Sequence, residues 1–464
     1  MMKLFQTICS GLLLLPAACL WSQVDGTSTQ TPIGNTADST ANNSDNNDSR
    51  MLTPPPVSGQ SYPTSVGGGE RSNYLSAGLS FTSAYTDSAF ESVNGHAVSD
   101  VSYSLFPTLS LEETTSRTHA VLHYAPGFTF YQRESGLNAA NQNASINFQY
   151  RLSPHVTFSA ADGFQKSSSV FNQPDLASAA VVFGGAQTPN FSAIAPTGDI
   201  LSNFGNVGIT YQFALNGMVG ASGTFSTLHY PTQTQVPGLY DSSTQGGSAF
   251  YSLRVSKVHY MGATYQYERL VSYPTVGQNE TQTHALLFFY TLYATSRISF
   301  SFFGGPQYSD TVLPPLPVLH LQLPAAKAWT RAAGGSLSWQ GRLTNFALSY
   351  SHIISGSGGL VGAVKMNSAN ATIRQQMTRR LGGSIGGGYT QNDVLDSALP
   401  GATNGHTISG TASLQQQFGE HLTVQLGYTR LHQDYGGVAV LAATPNTNRE
   451  FVSISYQFSR PLGR

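Results

Sequence analysis

Beyond Asn73 the chain alternates apolar and polar residues with a period of two, which places every second side chain on one face of an extended strand. Leu75-Ala77-Leu79-Phe81, Ala144-Ile146-Phe148-Tyr150, Val207-Ile209-Tyr211-Phe213, Leu422-Val424-Leu426-Tyr428 and Val452-Ile454-Tyr456-Phe458 show it. Their opposite faces read Ser76-Gly78-Ser80-Thr82, Ser145-Asn147-Gln149, Gly208-Thr210-Gln212, Thr423-Gln425-Gly427-Thr429 and Ser453-Ser455-Gln457. One face is apolar and aromatic; the other is small, hydroxylated or amide.

Tight turns separate these segments at Ser153-Pro154, Asn216-Gly217, Ser256-Lys257, Thr295-Ser296, Gly341-Arg342, Arg379-Arg380 and Gly419-Glu420, with Asn-Gly a strong hairpin signal. Longer loops rich in Gly, Pro, Asn and Asp lie between them, at roughly 167–202, 229–245, 270–281, 309–327, 355–364, 393–405 and 434–448. Strict alternation of short turns and long loops is what a closed antiparallel transmembrane β-barrel requires, with both barrel ends on the periplasmic side. The count is about eighteen strands, within an expected sixteen to eighteen. A repeat near 40 residues also suits a β-propeller of the WD40 type, but Trp occurs only at 21, 329 and 339 and no Trp-Asp pair exists.

Charged residues make up only 10% of the chain, against roughly 25% in a typical soluble domain, so the surface is not the usual charged one. Mean hydropathy is −0.14, and past the N-terminus no apolar run approaches the ~18 residues of a spanning helix. Any membrane crossing is therefore made by strands. A net charge of −1 without a basic run removes the electrostatic footprint of a nucleic-acid binder.

Residues 1–22 join Lys3 to an apolar stretch through Leu12-Leu13-Leu14-Leu15 and a small residue, Ser22, the pattern of a cleaved export signal. Pro16-Ala17-Ala18-Cys19 resembles a lipoprotein processing site only loosely, since Pro16 stands where such sites usually have Leu. Both cysteines, Cys9 and Cys19, fall inside this segment, so the mature chain is expected to lack disulfides. Residues 23–72 are a Ser/Thr/Asn/Pro-rich leader unable to bury a core, and 73–464 form the barrel.

The final strand, Val452-Ser453-Ile454-Ser455-Tyr456-Gln457-Phe458, resembles the C-terminal signal of Gram-negative outer-membrane β-barrel proteins of the porin-like superfamily. Ser459–Arg464 follow the aromatic. The resemblance implies insertion into outer-membrane lipid by the barrel-insertion machinery. Tyr150, Phe213, Tyr293, Trp339, Phe418 and Phe458, at strand ends near the short turns, are expected to face outward as an interfacial girdle.

Catalytic patterns are weak. Gly382-Gly383-Ser384-Ile385-Gly386 matches a nucleophile elbow in letters but has no following helix. The twelve histidines form no zinc motif, and His119 or His123 beside Glu112-Glu113 lack a nucleophile. No cofactor and no catalysis are expected. The inward face is expected to carry few charges, chiefly Arg151, Arg254, Glu268 and Arg374, among amides such as Gln212 and Gln425. A barrel this wide leaves an aqueous lumen unless something fills it, and a neutral hydroxyl- and amide-lined lumen suits uncharged solutes such as sugars. Three readings stand: a passive channel, a structural or adhesive barrel whose loops bind a partner, and a closed barrel associated with polysaccharide export.

Two expectations are specific. Leu79, Phe148, Ile209, Leu426 and Ile454 face lipid, while Thr82, Gln149, Thr210, Gln425 and Ser455 face the lumen, since a one-residue slip exchanges the faces. The longest loop, about Ser167 to Ser202, folds toward or over the pore because its apolar stretch 177–183 is poorly solvated by water, as the third loop of general porins does; the competing reading is an outer flap or a lid-like helix lying against neighbouring loops.

Overall fold

The period-two segments become long strands. The computed structural model describes residues 73–91, 97–168, 198–274, 277–295, 297–312, 326–356, 358–395, 403–438, 441 and 445–461. Residues 1–22 and 23–72, expected to be an export signal and a leader, and the stretch at 177–183 lie outside these.

In chain order the strands are β1 (Asn73–Glu91), β2 (Ala97–Thr114), β3 (Thr118–Tyr131), β4 (Ala139–Ser153), β5 (Val156–Ser167), β6 (Ile200–Ala214), β7 (Gly217–His229), β8 (Asp241–Arg254) and β9 (His259–Tyr273). They continue with β10 (Asn279–Thr295), β11 (Ile298–Val312), β12 (Ala326–Gln340), β13 (Thr344–Gly356), β14 (Ala363–Gln376), β15 (Leu381–Val394), β16 (Gly405–Phe418), β17 (Leu422–Asp434) and β18 (Asn446–Pro461). Each pairs antiparallel with its sequence neighbours, and β1 also pairs with β18, so the sheet closes and leaves no free end strand. This is the architecture of an outer-membrane β-barrel: an even strand count, short turns at one end and long loops at the other. One turn, between β2 and β3, lies at 115–117, where the Thr115 hydroxyl accepts from the Thr118 N–H at 2.9 Å; the sequence pattern does not mark it.

Strand lengths run from 12 residues in β5 to 19 in β1, while a tilted strand needs about 9–11 to cross the hydrocarbon. The excess projects at the loop end. The ion pairs Lys166–Asp199, Arg269–Glu280 and Lys327–Asp310 and the His229–Asp241 hydrogen bond all sit there, above an aromatic rim that includes Tyr265, Tyr308 and Trp329.

Alternation places the faces as expected. Leu79, Ile209, Leu426 and Ile454 are exposed on the outer surface, whereas Gln149 and Thr210 are buried on the inner one. Thr82 donates to Ser453 at 3.0 Å, and Ser80 lies 2.9 Å from Ser455, which fixes these side chains on the inner face. A belt of Leu, Ile, Val, Phe and Tyr exposed all round the wall is one that lipid solvates and water does not.

The girdle holds at Phe213, Trp339, Phe418 and Phe458, all exposed, and Tyr150 stacks on outward Phe148 with centroids 6.4 Å apart. Tyr293 is a correction. It faces inward, edge-on to Tyr260 at 5.4 Å, while its neighbours on β10, Leu286 and Phe288, are the exposed ones. β10 is apolar on both faces here, so no alternation fixes its register.

Candidate functional site: the lumen and its mouth

The inner wall falls into two arcs. From β14 through β18 and on to β5 it is polar, held by hydroxyl pairs across neighbouring strands: Ser351–Ser368 (2.9 Å), Ser384–Ser413 (2.8 Å) and Ser104–Thr129 (3.0 Å). Such cross-strand pairs are the unit of sheet stabilisation. Ser384, the serine of the elbow-like sequence, sits mid-strand in this ladder rather than at a turn. His119 Nδ1 meets the Thr114 hydroxyl at 2.9 Å, a structural contact beside the turn.

Between β7 and β13 the wall also carries an apolar patch, set among buried polar residues such as Ser252, Thr264, Gln266, Thr283 and Ser301. Met218, Phe250, Ala285, Leu287, Phe289, Phe303 and Ala332 form one buried cluster, with Tyr260 and Ile353 against it. The hydroxyl- and amide-bearing inner face expected from the sequence carries this apolar patch in addition. Three of its phenylalanines stand opposite glycines in register: Phe250↔Gly220, Phe289↔Gly262 and Phe303↔Gly334. In each, a Cβ on the glycine would collide with the ring, so the rings lie flat across the neighbouring strand instead of standing in the lumen. Phe451 over Gly427 and Phe106 over Gly127 repeat the device in the polar arc. Glycine in a strand interior commonly marks such a close approach.

The proposed lumen residues separate along this division. Arg151 on β4 pairs in register with Thr157, Arg374 on β14 with Asn345, and Gln425 on β17 with Gln415 and Ser453; all three belong to the polar arc or its edge. Gln212 on β6 is buried, and its Nε2 has no hydrogen-bond partner among the described residues. Arg254 on β8 hydrogen-bonds Tyr260 at the turn end of the apolar arc. Glu268 on β9 is buried, one inward position from Leu270, and its Cγ lies close to Gly246. The structure does not gather these six into one site; they are distributed around the wall.

At the loop end a second apolar cluster covers the mouth. Tyr230, Val236 and Leu239 from the β7–β8 loop meet Leu360 from the β13–β14 loop and Tyr435, Val438 and Leu441 from the β17–β18 loop. These loops leave strands far apart around the ring, so their meeting spans the opening. The Tyr240 N–H donates to the Gly359 carbonyl (2.7 Å), the Tyr230 hydroxyl donates to the Gly358 carbonyl (3.5 Å), and the Asn392 amide donates to the Tyr435 hydroxyl (2.9 Å). Gly359 has φ +103°, and a Cβ there would strike the Tyr230 ring system. Burial, with Asp241 nearby, pushes the Tyr230 phenol above its ordinary pKa, which keeps it neutral in the cap. The expected constriction by the 167–202 loop lies largely outside the described residues, though its last residues reach this cluster through Ile200.

The signals that sequence reading passed over are visible in retrospect. Ala285-Leu286-Leu287-Phe288-Phe289-Tyr290 breaks alternation with a continuous apolar run, which marks a strand apolar on both faces.

No family model matches the chain, and no curated protein matches it in sequence. Among solved structures it is similar to OpdQ of Pseudomonas aeruginosa, at 10% identity over 83% of this chain and 99% of that one with a TM-score of 0.42. It is also similar to the outer membrane protein OpdK of Pseudomonas aeruginosa (10%, 83% and 99%, TM-score 0.41) and to OccAB4 of Acinetobacter baumannii (8%, 85% and 100%, TM-score 0.40).

Proposed function

We propose that this chain is an outer-membrane channel for small uncharged solutes, sugars among them. The observation that carries this reading is the two-sided lumen. One arc offers hydroxyls and amides; the other adds an apolar patch among hydroxyls and amides of its own. Binding sites for small molecules combine mostly apolar lining with a few placed polar groups, and a sugar presents both hydroxyls and apolar C–H faces. The inner wall's charged side chains, Arg151, Arg254, Glu268 and Arg374 among them, are scattered rather than stacked, so the wall exerts little electrostatic selection. The export segment at 1–22 and the C-terminal strand support delivery to the outer membrane.

Purified protein in planar bilayers and in sugar-loaded liposomes tests the reading. We expect discrete conductance steps and swelling with monosaccharides. A correctly folded, heat-modifiable barrel that neither conducts nor swells liposomes contradicts it and favours the adhesive or closed-barrel alternative, to which the packed cap over the mouth would then belong.

A further inference from the structure

The boundary between β12 and β13 is unlike its neighbours. Their pairing runs only from Ala333↔His352 to Gln340↔Asn345. β12 nevertheless continues beside β11 to Thr311↔Ala326, and β13 continues beside β14 to Gly356↔Ala363. Over residues 326–332, no strand among the described residues pairs with the other edge of β12.

What separates the two strands is a turn of β13 into the barrel. By parity with Phe346, Leu348 and Tyr350, Ile354 should face lipid; it is instead 1% exposed and packs with Ala363 against Leu270, an inward side chain of β9. Its N–H donates to Gln307 Oε1 on the inner face of β11 at 3.0 Å. The end of β13 therefore passes behind β12 and leaves a slot between an outer lip and an inner one.

The lips differ in chemistry. On the outer lip Trp329 is 74% exposed and tilts against Tyr308 with centroids 5.1 Å apart, while Lys327 pairs with Asp310 at 3.6 Å. Amphipathic rings and charges of this kind belong at the lipid headgroup boundary. An open sheet edge is not tolerated in lipid hydrocarbon, and flanking charge is how exposed edges are protected. The closed end of the slot, at Ala333↔His352, is level with Gly304 and outward Phe288 in the apolar belt. Behind it stand Ala332 and Phe303 of the apolar cluster, with Ile353 packed against that cluster. Above it the axial mouth is covered by the loop cluster.

We infer that the β12/β13 slot is a lateral port between the apolar arc and the outer leaflet, and that it takes uncharged molecules with an aromatic or aliphatic body. The inference rests on reading the inner wall as the boundary of a passage. An apolar body moving sideways exchanges lipid for Phe303, Ile353 and Phe289 without entering water, whereas the axial route leads it through the cap into solvent.

Had the register continued, Thr330 would stand opposite Ser355. The double variant Thr330→Cys/Ser355→Cys therefore zips the slot shut when oxidised, and the barrel itself contains no other cysteine. Uptake of the uncharged dye N-phenyl-1-naphthylamine by cells carrying this variant should fall about tenfold on oxidation and recover with dithiothreitol, while glucose-driven liposome swelling is unchanged. Equal dye uptake with the disulfide shown to be formed overturns the port, as does an equal loss of dye and glucose passage. Where the disulfide does not form, Ala332→Glu places a charge on the inward face of the outer lip in a barrel checked for folding by heat modifiability; dye uptake should again fall, and unchanged uptake overturns the port. Dye uptake that responds in a protein showing no glucose swelling removes the sugar reading and leaves the port standing.

Discussion

The polar and apolar arcs of the inner wall are made of different strands of one closed sheet, and they solve different problems. In the polar arc, Ser, Thr, Asn and Gln satisfy one another across strands, as in the run Ser80, Thr82, Ser453 and Ser455, and water can replace any partner. In the apolar arc, rings folded onto glycines bury an apolar patch between hydroxyl pairs such as Thr291–Ser301 at 2.6 Å. The difference teaches that face alone does not set chemistry in this barrel. Gln307 on β11 remains polar under the infolded end of β13, where it accepts from the Ile354 N–H at 3.0 Å, whereas Phe303 on the same face is apolar.

The sharpest way to break this comparison is to put the same charge in both arcs. Phe289→Glu should cost about 3 kcal/mol or more, since it removes a buried ring and buries a carboxylate without a partner. Gln425→Glu should cost about 1 kcal/mol or less and shift the channel toward cations. Heat-modifiability midpoints and reversal potentials measure the two, and equal costs would erase the distinction.

The cap is the next test, because it is built of the same apolar chemistry but at the mouth. Leu360→Ala leaves a cavity between Tyr230 and Tyr435 and should cost the cap about 2–3 kcal/mol, raising single-channel conductance without altering the barrel's own unfolding. Unchanged conductance would mean that the cap does not control the opening.

A gentler probe compares two inward glycines. Gly334→Ala collides with the Phe303 ring and the Tyr350 carbonyl and should cost about 1–3 kcal/mol. Gly386→Ala in the polar arc meets nothing nearer than 3.8 Å and should stay within about 0.5 kcal/mol of the native protein. Thermal unfolding in detergent distinguishes them.

The smallest effect lies outside the membrane, at the loop end. Hydrogen bonds from Arg269 at 2.7 and 2.8 Å, with Gln282 beside it, hold the Glu280 carboxyl at about 2, below its ordinary 4.5. A carboxyl lowered by folding contributes stability above its unfolded pKa and loses it as pH falls through the folded value. The local order of the β9–β10 hairpin should therefore weaken between about pH 4.5 and 2 and no higher. Carbon-detected titration of Glu280, with Arg269→Gln returning it to the ordinary carboxylate range, checks this.

Much of the fold was legible in the sequence because a barrel wall repeats one rule. Val207, Ile209, Tyr211 and Phe213 show the lipid face and Thr210 and Gln212 the other, and register follows. The lumen was less legible. At β10, Phe288, Phe289 and Tyr290 are apolar whichever way they point, so alternation vanished where Tyr293 had to be oriented. The infolding of β13 leaves a fainter trace in the consecutive Ile353 and Ile354, followed by Gly356, Gly358 and Gly359. The cap was illegible for a different reason: Tyr230, Leu360 and Tyr435 are far apart in sequence and meet only because the ring closes.

The most direct test of the central claim, a water-facing lumen inside a lipid-facing wall, uses two adjacent residues on β17. Gln425→Cys and Leu426→Cys differ by one position, and Leu426 is exposed on the outer face. In intact proteoliposomes a membrane-impermeant maleimide should label the Gln425→Cys variant, while only a lipid-soluble maleimide labels the Leu426→Cys variant. Rapid labelling of the Leu426→Cys variant by the impermeant reagent, with the Gln425→Cys variant unreactive, would contradict the account.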